Sequence, residues 1–252
     1  MFILFALIVM RMSGAVVFNS IFGRSGVPGQ VRGAFILVLS LMYYVWLGGT
    51  MENPPGTLLE FAVMLLKELM LGFALGFGME INFMIVRFAG SIIDFAMGLS
   101  MAQVFDPQSN TQVTVTSNLY NTLFMLMIFT TNAHLRYLEI LFTSAGNIPF
   151  GQVQITAQLA QYILQYFCQC IVVGLQLCFP MMGLQLLTEV AIGLLMKAVP
   201  QVNIFAVNFQ IKLIIGMAML LILYNPVAEK IQSFVGGELF DTLYHIVGLM
   251  AP

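Results

Sequence analysis

The most constraining feature of this sequence is a row of glutamines inside a long apolar stretch. The stretch runs from Ile140 to Thr188 without a charged residue. At about 100° per residue, the glutamines fall within an arc of roughly 80° on one predicted helix. They are Gln154, Gln158, Gln161, Gln165, Gln169 and Gln176. Because hydrocarbon offers an amide no hydrogen-bond partner, this face predicts contact with other helices or with water.

The composition indicates an integral membrane protein. The chain is 60% hydrophobic and 8% charged, whereas soluble domains are about 45–50% apolar and about 25% charged. No linker divides the sequence, so we expect one all-α domain over residues 1–252. The net charge of −2 leaves no basic surface for nucleic acid, which is therefore not an expected partner.

Two segments are too long to be simple membrane spans. Leu58–Phe105 and Gln152–Val199 each contain 48 residues without a strong loop signal. As straight helices they would be about 72 Å long, against about 40–45 Å for a bilayer with its headgroups. We expect each segment to bend into a hairpin or to project beyond the membrane. The candidate bend points are Gly72, Gly76, Gly78, Pro180 and Gly183.

The remaining apolar segments predict further helices. These are Phe2–Phe22, Gly33–Met51, Asn118–Phe142, Ile204–Tyr224 and an amphipathic tail, Val227–Leu249, broken at Gly236-Gly237. Between the helices lies a polar loop, Asp106–Ser117, in which nine of twelve residues are polar. The loop carries no helix signal, and on sequence alone it could be an exposed connector.

Charged residues occur where lipid-facing helices would not carry them. Glu80, Arg87 and Asp94 are spaced by seven, so they lie on one helical stripe about 10 Å apart and cannot pair with one another. A charge at the bilayer centre costs at least about 2.5–3.5 kcal/mol. Ion pairs between helices, a proton or ion relay, and exposure at an aqueous edge would each account for them. Glu189, Lys197 and Lys212 are further candidates for buried charges or subunit contacts.

The sequence contains no catalytic or metal-binding pattern. His134 and His245 have no metal-ligand spacing to Cys, Asp or Glu. The three cysteines lie in one apolar segment and are expected to be small buried residues: Cys168, Cys170 and Cys178. We expect no enzymatic activity, no cofactor and no metal.

A set of short motifs in a fixed order resembles the FliR family, the flagellar branch of type III export-gate subunits. The set covers the chain from about Arg11 to the tail. It comprises Arg11–Gly14, Pro28–Arg32, Ala89–Ile93, Met97–Ser100, Phe105–Gln108, Asn132–His134 and Gly193–Phe205. No single motif is specific, but their order is. The injectisome relatives, the SctT proteins, are the alternative branch, and the motifs at Met97 and Phe105 favour the flagellar one.

The resemblance implies a fold of bent helical hairpins within a helical hetero-oligomeric channel in the bacterial inner membrane, at the flagellar basal body. It implies FliP-like, FliQ-like, FlhB-like and FlhA-like partners, lipid contact, and unfolded flagellar proteins as cargo. It also implies that the polar loop plugs the channel. The residues that would form this plug or line the channel are Asp106, Pro107, Gln108, Ser109, Asn110, Thr111 and Gln112. A secondary transporter with broken helices and a membrane scaffold without a pore remain competing hypotheses.

Overall fold

A computed structural model of the protein describes residues 2–23, 26–47, 54–99, 115–198 and 204–251. Within these ranges the regular structure is helical and no residue lies in a strand, so the all-α prediction is confirmed. The helices are α1 (Phe2–Val17), α2 (Gly29–Leu47), α3 (Leu58–Ala96), α4 (Val115–Thr130), α5 (Ala133–Asn147), α6 (Ala157–Ala198), α7 (Ile204–Gly236) and α8 (Glu238–Met250).

The first two helices differ from prediction at the turn between them. Helix α1 ends at Val17 rather than Phe22 because Asn19 competes with the helix. The Oδ1 atom of Asn19 accepts a hydrogen bond from the Ile21 amide at 2.8 Å, and its carbonyl accepts one from Gly23 at 2.6 Å. Asparagine commonly forms such local turns. Helix α2 begins at Gly29, four residues before the predicted start.

The predicted helix Asn118–Phe142 is wrong, because the structure has two helices there. Asn132 separates α4 from α5 with φ 57° and ψ 22°, a left-handed conformation that asparagine tolerates better than most residues. Conversely, helix α7 continues past the predicted end at Tyr224 and through Pro226 to Gly236. The predicted break at Gly236-Gly237 is confirmed, since α8 begins at Glu238.

The two long segments do not fold back on themselves within their helices. Helix α3 has 39 residues and α6 has 42, about 58 Å and 63 Å at 1.5 Å per residue. None of the five candidate bend points interrupts either helix. The hairpin alternative is therefore wrong for these segments, and both helices exceed the thickness of a bilayer.

The described residues form two compact units. The first comprises Met1–Asn82, Ile128–Cys168 and Phe234–Pro252. In it α1 packs against α2, and α5 packs against α8. Helices α1 and α3 touch backbone to backbone: a Cβ atom on Gly14 would lie 2.6 Å from the Leu69 carbonyl oxygen, and one on Gly72 would collide with the Arg11 carbonyl oxygen. Glycines here set how closely α1 and α3 approach.

Hydroxyl groups join helices inside this unit. The buried phenol of Tyr137 donates to the Ala15 carbonyl oxygen at 2.8 Å, and that of Tyr166 donates to Asn82 Oδ1 at 2.7 Å. Burial raises the pKa of Tyr137 above its ordinary value, so its phenol stays a neutral donor at physiological pH. Each bond supplies a partner to a polar atom that has left water.

The second unit comprises Phe83–Met127 and Gln169–Ser233. Within it α3 and α4 form an antiparallel helical hairpin. Phe83, early in this part of α3, packs edge-on against Phe124, late in α4, with ring centroids 4.7 Å apart. Asp94, at the end of α3, contacts Thr116, at the start of α4. This hairpin is made by two helices rather than by a bend within one.

Among the described residues, three helical stretches are long and apolar enough to cross a membrane. They are Gly29–Leu47, Ala157–Leu195 and Asn208–Met250. Many large apolar side chains on these stretches are exposed in the single chain, for example Trp46, Leu187 and Leu221. Such a surface suits contact with lipid or with other apolar helices.

The contact between α1 and α3 generates a stability prediction. We expect Gly72→Ala to destabilise the protein by about 1–3 kcal/mol, because the new methyl group would meet the α1 backbone, which cannot rotate away. The measurement is the thermal unfolding midpoint of the purified protein in detergent. The matched control is Gly183→Ala, whose Cβ would enter open space. An equal midpoint for the two variants would contradict the close packing.

Candidate functional site

A buried ion pair lies inside the first unit. Arg11 in α1 and Glu68 in α3 are both fully buried, and Arg11 Nε lies 2.6 Å from Glu68 Oε2. The guanidinium also donates to the Ile148 carbonyl oxygen at 3.2 Å and stacks over the Phe150 ring at 4.2 Å. The second carboxylate oxygen, Oε1, accepts the Gly151 amide at 2.8 Å. Both charges therefore have several partners.

This cluster joins α1, α3 and the turn that follows α5. Burying two ions costs several kcal/mol each unless their remaining atoms are also satisfied, and here backbone groups of the turn complete the set. Sequence reasoning missed the pair, although Arg11 is a lone charge in an otherwise apolar helix. The unused signal was that such a charge needs an opposite charge from another helix, and α3 carries several carboxylates.

The three charges spaced by seven in α3 have separate partners. Glu80 accepts a hydrogen bond from the Ser20 hydroxyl. The carbonyl oxygen of Arg87 accepts the Ser117 hydroxyl at 2.9 Å, and the Arg87 side chain is half-buried with a partner of its own. Asp94 is fully buried and accepts from the amide and the hydroxyl of Thr116. The side chains of Glu80 and Asp94 thus both accept hydrogen bonds from hydroxyl groups, and Asp94 also accepts one from an amide.

The predicted charges near the end of α6 lie at its surface. Glu189 and Lys212 form an ion pair within the second unit, with Glu189 half exposed. Gln185, which lies one turn earlier in α6, is buried and donates to the Lys212 carbonyl oxygen at 3.1 Å. Lys197 is exposed in the last turn of α6, where a positive charge suits the helix dipole.

The structure shows where the six glutamines of the predicted stripe lie. Gln154 precedes the helix, which begins at Ala157. The other five glutamines lie on α6, and all six side chains are exposed without a hydrogen-bond partner among the described residues. The buried face of α6 includes Leu159, Tyr166, Cys170 and Leu177. At 100° per residue it is centred about 120° from the glutamines, so the stripe points away from the contacts that α6 makes.

The predicted plug residues, Asp106 to Gln112, lie outside the described residues. Helix α4 begins at Val115, so the last three positions of the predicted loop are helical. Cys170 and Cys178 are buried as expected, but Cys168 is exposed. Within the described ranges, no three His, Cys, Asp or Glu side chains lie together as metal ligands.

Comparison with known proteins decides the family. The family model of bacterial export proteins, family 1, matches residues 2–237. The chain belongs to this family. It is similar to the flagellar biosynthetic protein FliR of Bacillus subtilis (strain 168), with 29% identity over 98% of this chain and 95% of that protein. It is 32% identical to FliR of Escherichia coli (strain K12) over 72% of this chain and 69% of that protein.

An injectisome relative is also similar. The Yop proteins translocation protein T of Yersinia pestis is 29% identical over 75% of this chain and 73% of that protein. The resemblance to the FliR family is thus confirmed. As a bacterial export protein with apolar helices long enough to cross a bilayer, the chain is a membrane component of an export apparatus and works with other export proteins.

The buried pair generates a prediction for this export protein. We expect Arg11→Met to destabilise it by about 3–5 kcal/mol, because Glu68 would remain buried without its counter-charge. The double variant Arg11→Met with Glu68→Met should lose much less, since neither charge then remains. The measurement is thermal unfolding of the purified variants in one detergent.

The control for this prediction is the ion pair between α6 and α7, in which the Glu189 side chain is half exposed. Lys212→Met leaves Glu189 with access to water, so the loss should be about 0–1 kcal/mol. A double variant at Arg11 and Glu68 that is as unstable as Arg11→Met alone would contradict the role of the unpaired charge.

Proposed function

We propose that this chain is a channel-forming subunit of the flagellar type III export gate, through which unfolded flagellar proteins cross the bacterial inner membrane at the basal body. The observation that carries the proposal is the exposed glutamine face of α6. An apolar helix with a row of amides pointing away from its own chain needs partner chains or a water-filled channel to satisfy them.

The distribution of polar groups supports an assembled state. Two buried charges of the first unit, Arg11 and Glu68, are paired with each other, so they need no channel. The glutamine side chains of the stripe on α6 have no such partner among the described residues. A subunit that satisfies its inner charges and presents its outer amides is suited to a contact between helices of different chains, where amides stabilise association in the membrane.

The partners in this proposal are FliP-like, FliQ-like, FlhB-like and FlhA-like proteins. The similarity to two flagellar FliR proteins, 29% identity for Bacillus subtilis (strain 168) and 32% for Escherichia coli (strain K12), supports this branch. The proposal assigns the chain a role in forming the passage and no catalytic step. Export of unfolded polypeptide through a passage requires shape and polarity from the wall rather than a reactive group.

The segment Asp106–Gln112 is proposed as the plug of the closed channel. Six of its seven residues are polar and one, Asp106, is charged, so they can enter a wet passage without a large electrostatic barrier. The segment lies in the connection between α3 and α4, and those helices pack together at their ends. A polar connection at the end of a hairpin is suited to obstructing a passage and to withdrawing from it.

The glutamine face leads to an assembly prediction. We expect Gln161→Leu with Gln165→Leu to lower the yield of a complex with FliP-like and FliQ-like proteins several-fold, because the leucines remove amide hydrogen bonds between chains. Copurification after mild detergent extraction measures the complex, and motility measures export.

The matched control changes two exposed glutamines elsewhere, Gln210→Leu with Gln232→Leu. If the stripe variant assembles and exports as well as this control does, the stripe has no role in assembly. A chain that purifies alone as a monomer and moves a small solute would favour a transporter instead.

The plug leads to a conductance prediction. We expect replacement of residues 106–112 by a flexible Gly/Ser linker of equal length to make membranes leak ions when the partner proteins are present. This replacement leaves α4 intact, because that helix begins at Val115. Ion flux into vesicles that contain the purified complex is the measurement. Vesicles with the variant chain but without its partners are the control, and flux equal to that of the unaltered complex would contradict the plug.

A further inference from the structure

We propose that Asp94 is a positioning residue that holds together the two ends of the connection between α3 and α4. Its backbone carbonyl accepts a hydrogen bond at the end of α3, and its side chain caps the start of α4. The consequence for export rests on the proposed function of residues 106–112 as a plug, whereas the local role of Asp94 does not.

The side chain of Asp94 caps the start of α4. Thr116 is the second residue of that helix, so its amide has no acceptor within the helix. Asp94 Oδ2 accepts this amide at 2.9 Å, and Oδ1 accepts the Thr116 hydroxyl at 2.5 Å. A capping carboxylate usually comes from the residue just before the helix. Here it comes from 22 positions earlier in the chain.

The backbone of Asp94 closes the end of α3. Its carbonyl oxygen accepts the Leu99 amide at 3.0 Å, and the Phe95 carbonyl oxygen accepts the Gly98 amide at 3.0 Å. Gly98 has φ 79°. These two bonds around a left-handed glycine form a Schellman motif, which terminates a helix. Leu99 and Thr116, on either side of the connection, are therefore both bonded to Asp94.

The position of the charge supports this assignment. Asp94 lies in the last turn of α3, where the helix dipole disfavours a negative charge, and it is fully buried. At the first turn of α4 the dipole favours a negative charge. The location of Asp94 is thus explained by α4 and not by the helix that contains it.

Two further contacts fix how the helices meet at this point. The Ser117 hydroxyl donates to the Arg87 carbonyl oxygen at 2.9 Å. A Cβ atom on Gly90 would collide with the Ser117 backbone, so α4 begins in direct contact with α3. These contacts hold the helices together, while Asp94 satisfies the amide and hydroxyl that the contact removes from water.

A difference between the two ends makes the role testable. The Schellman motif uses backbone atoms and Gly98, so it survives loss of the Asp94 side chain. The cap on α4 is lost with that side chain, because the Asp94 carboxylate oxygens form it. Asp94→Ala should therefore release the α4 end of the connection while the α3 end remains formed, and the closed position of the plug should become less populated.

The first experiment measures hydrogen exchange at the start of α4 in the purified complex with the partner proteins. We expect Asp94→Ala to speed exchange of the Thr116 amide by about tenfold or more, because a buried charge-assisted bond is lost. Asp94→Asn keeps one acceptor and should have a smaller effect. The matched control is Asp241→Ala, an exposed aspartate in the first turn of α8. Unchanged exchange in Asp94→Ala would overturn the proposal.

The second experiment measures ion flux in vesicles that contain the same complex. We expect Asp94→Ala to leak more than the unaltered complex and less than the linker replacement of residues 106–112. Thr116→Val removes the hydroxyl but keeps the amide, and its effect should not add to that of Asp94→Ala, since both act on one contact. If Asp94→Ala folds poorly, Asp94→Asn and Thr116→Val carry the test.

The outcomes separate this inference from the proposed function. A leak with the linker replacement but none with Asp94→Ala, despite faster exchange, would show that the plug holds without Asp94 and would overturn its positioning role. No leak with the linker replacement would overturn the plug itself. The exchange measurement would then decide alone whether Asp94 holds the end of α4.

Discussion

The pairing of Arg11 with Glu68 is the interaction on which the first unit depends. Two full charges without solvent exposure survive there because a carbonyl, an amide and an aromatic ring complete their surroundings. That requirement fixes where α1, α3 and the turn near Gly151 lie relative to one another. The close backbone contact at Gly14 and Gly72 follows, since the side chains meet in the same region only if α1 and α3 approach closely.

Buried polar groups need partners, and this need divides the polar side chains into two kinds. Some have a partner within this chain, and others need one from outside it. Glu80 and Asp94 obtain hydroxyl or amide partners from this chain. The side chains of the glutamine stripe on α6, Gln158 to Gln176, obtain none among the described residues. A membrane protein must satisfy both kinds. Under the proposed function, other subunits of the export apparatus supply the hydrogen-bond partners of the second kind.

The sequence predicted the helical class, the membrane setting and the family, because each is recorded in composition or in ordered motifs. It also predicted the break at Gly236-Gly237, since two adjacent glycines are a local signal. It did not predict the separate helix α5 that begins after Asn132, where one asparagine adopts a left-handed conformation. Nor did it predict that Arg11 meets Glu68. Helix length and spacing describe one helix at a time, whereas that pair is set by how two helices pack.

Helix α6 shows how one residue type acquires two roles. Gln185 lies on its buried face and donates to the Lys212 carbonyl oxygen, whereas Gln158 to Gln176 lie about 120° away or more and are exposed. The amide chemistry is identical, so position around the helix decides the role. An amide on the inner face ties α6 to α7 within one chain. An amide on the outer face has the same bonding capacity and no partner among the described residues, which makes it an available contact for another chain.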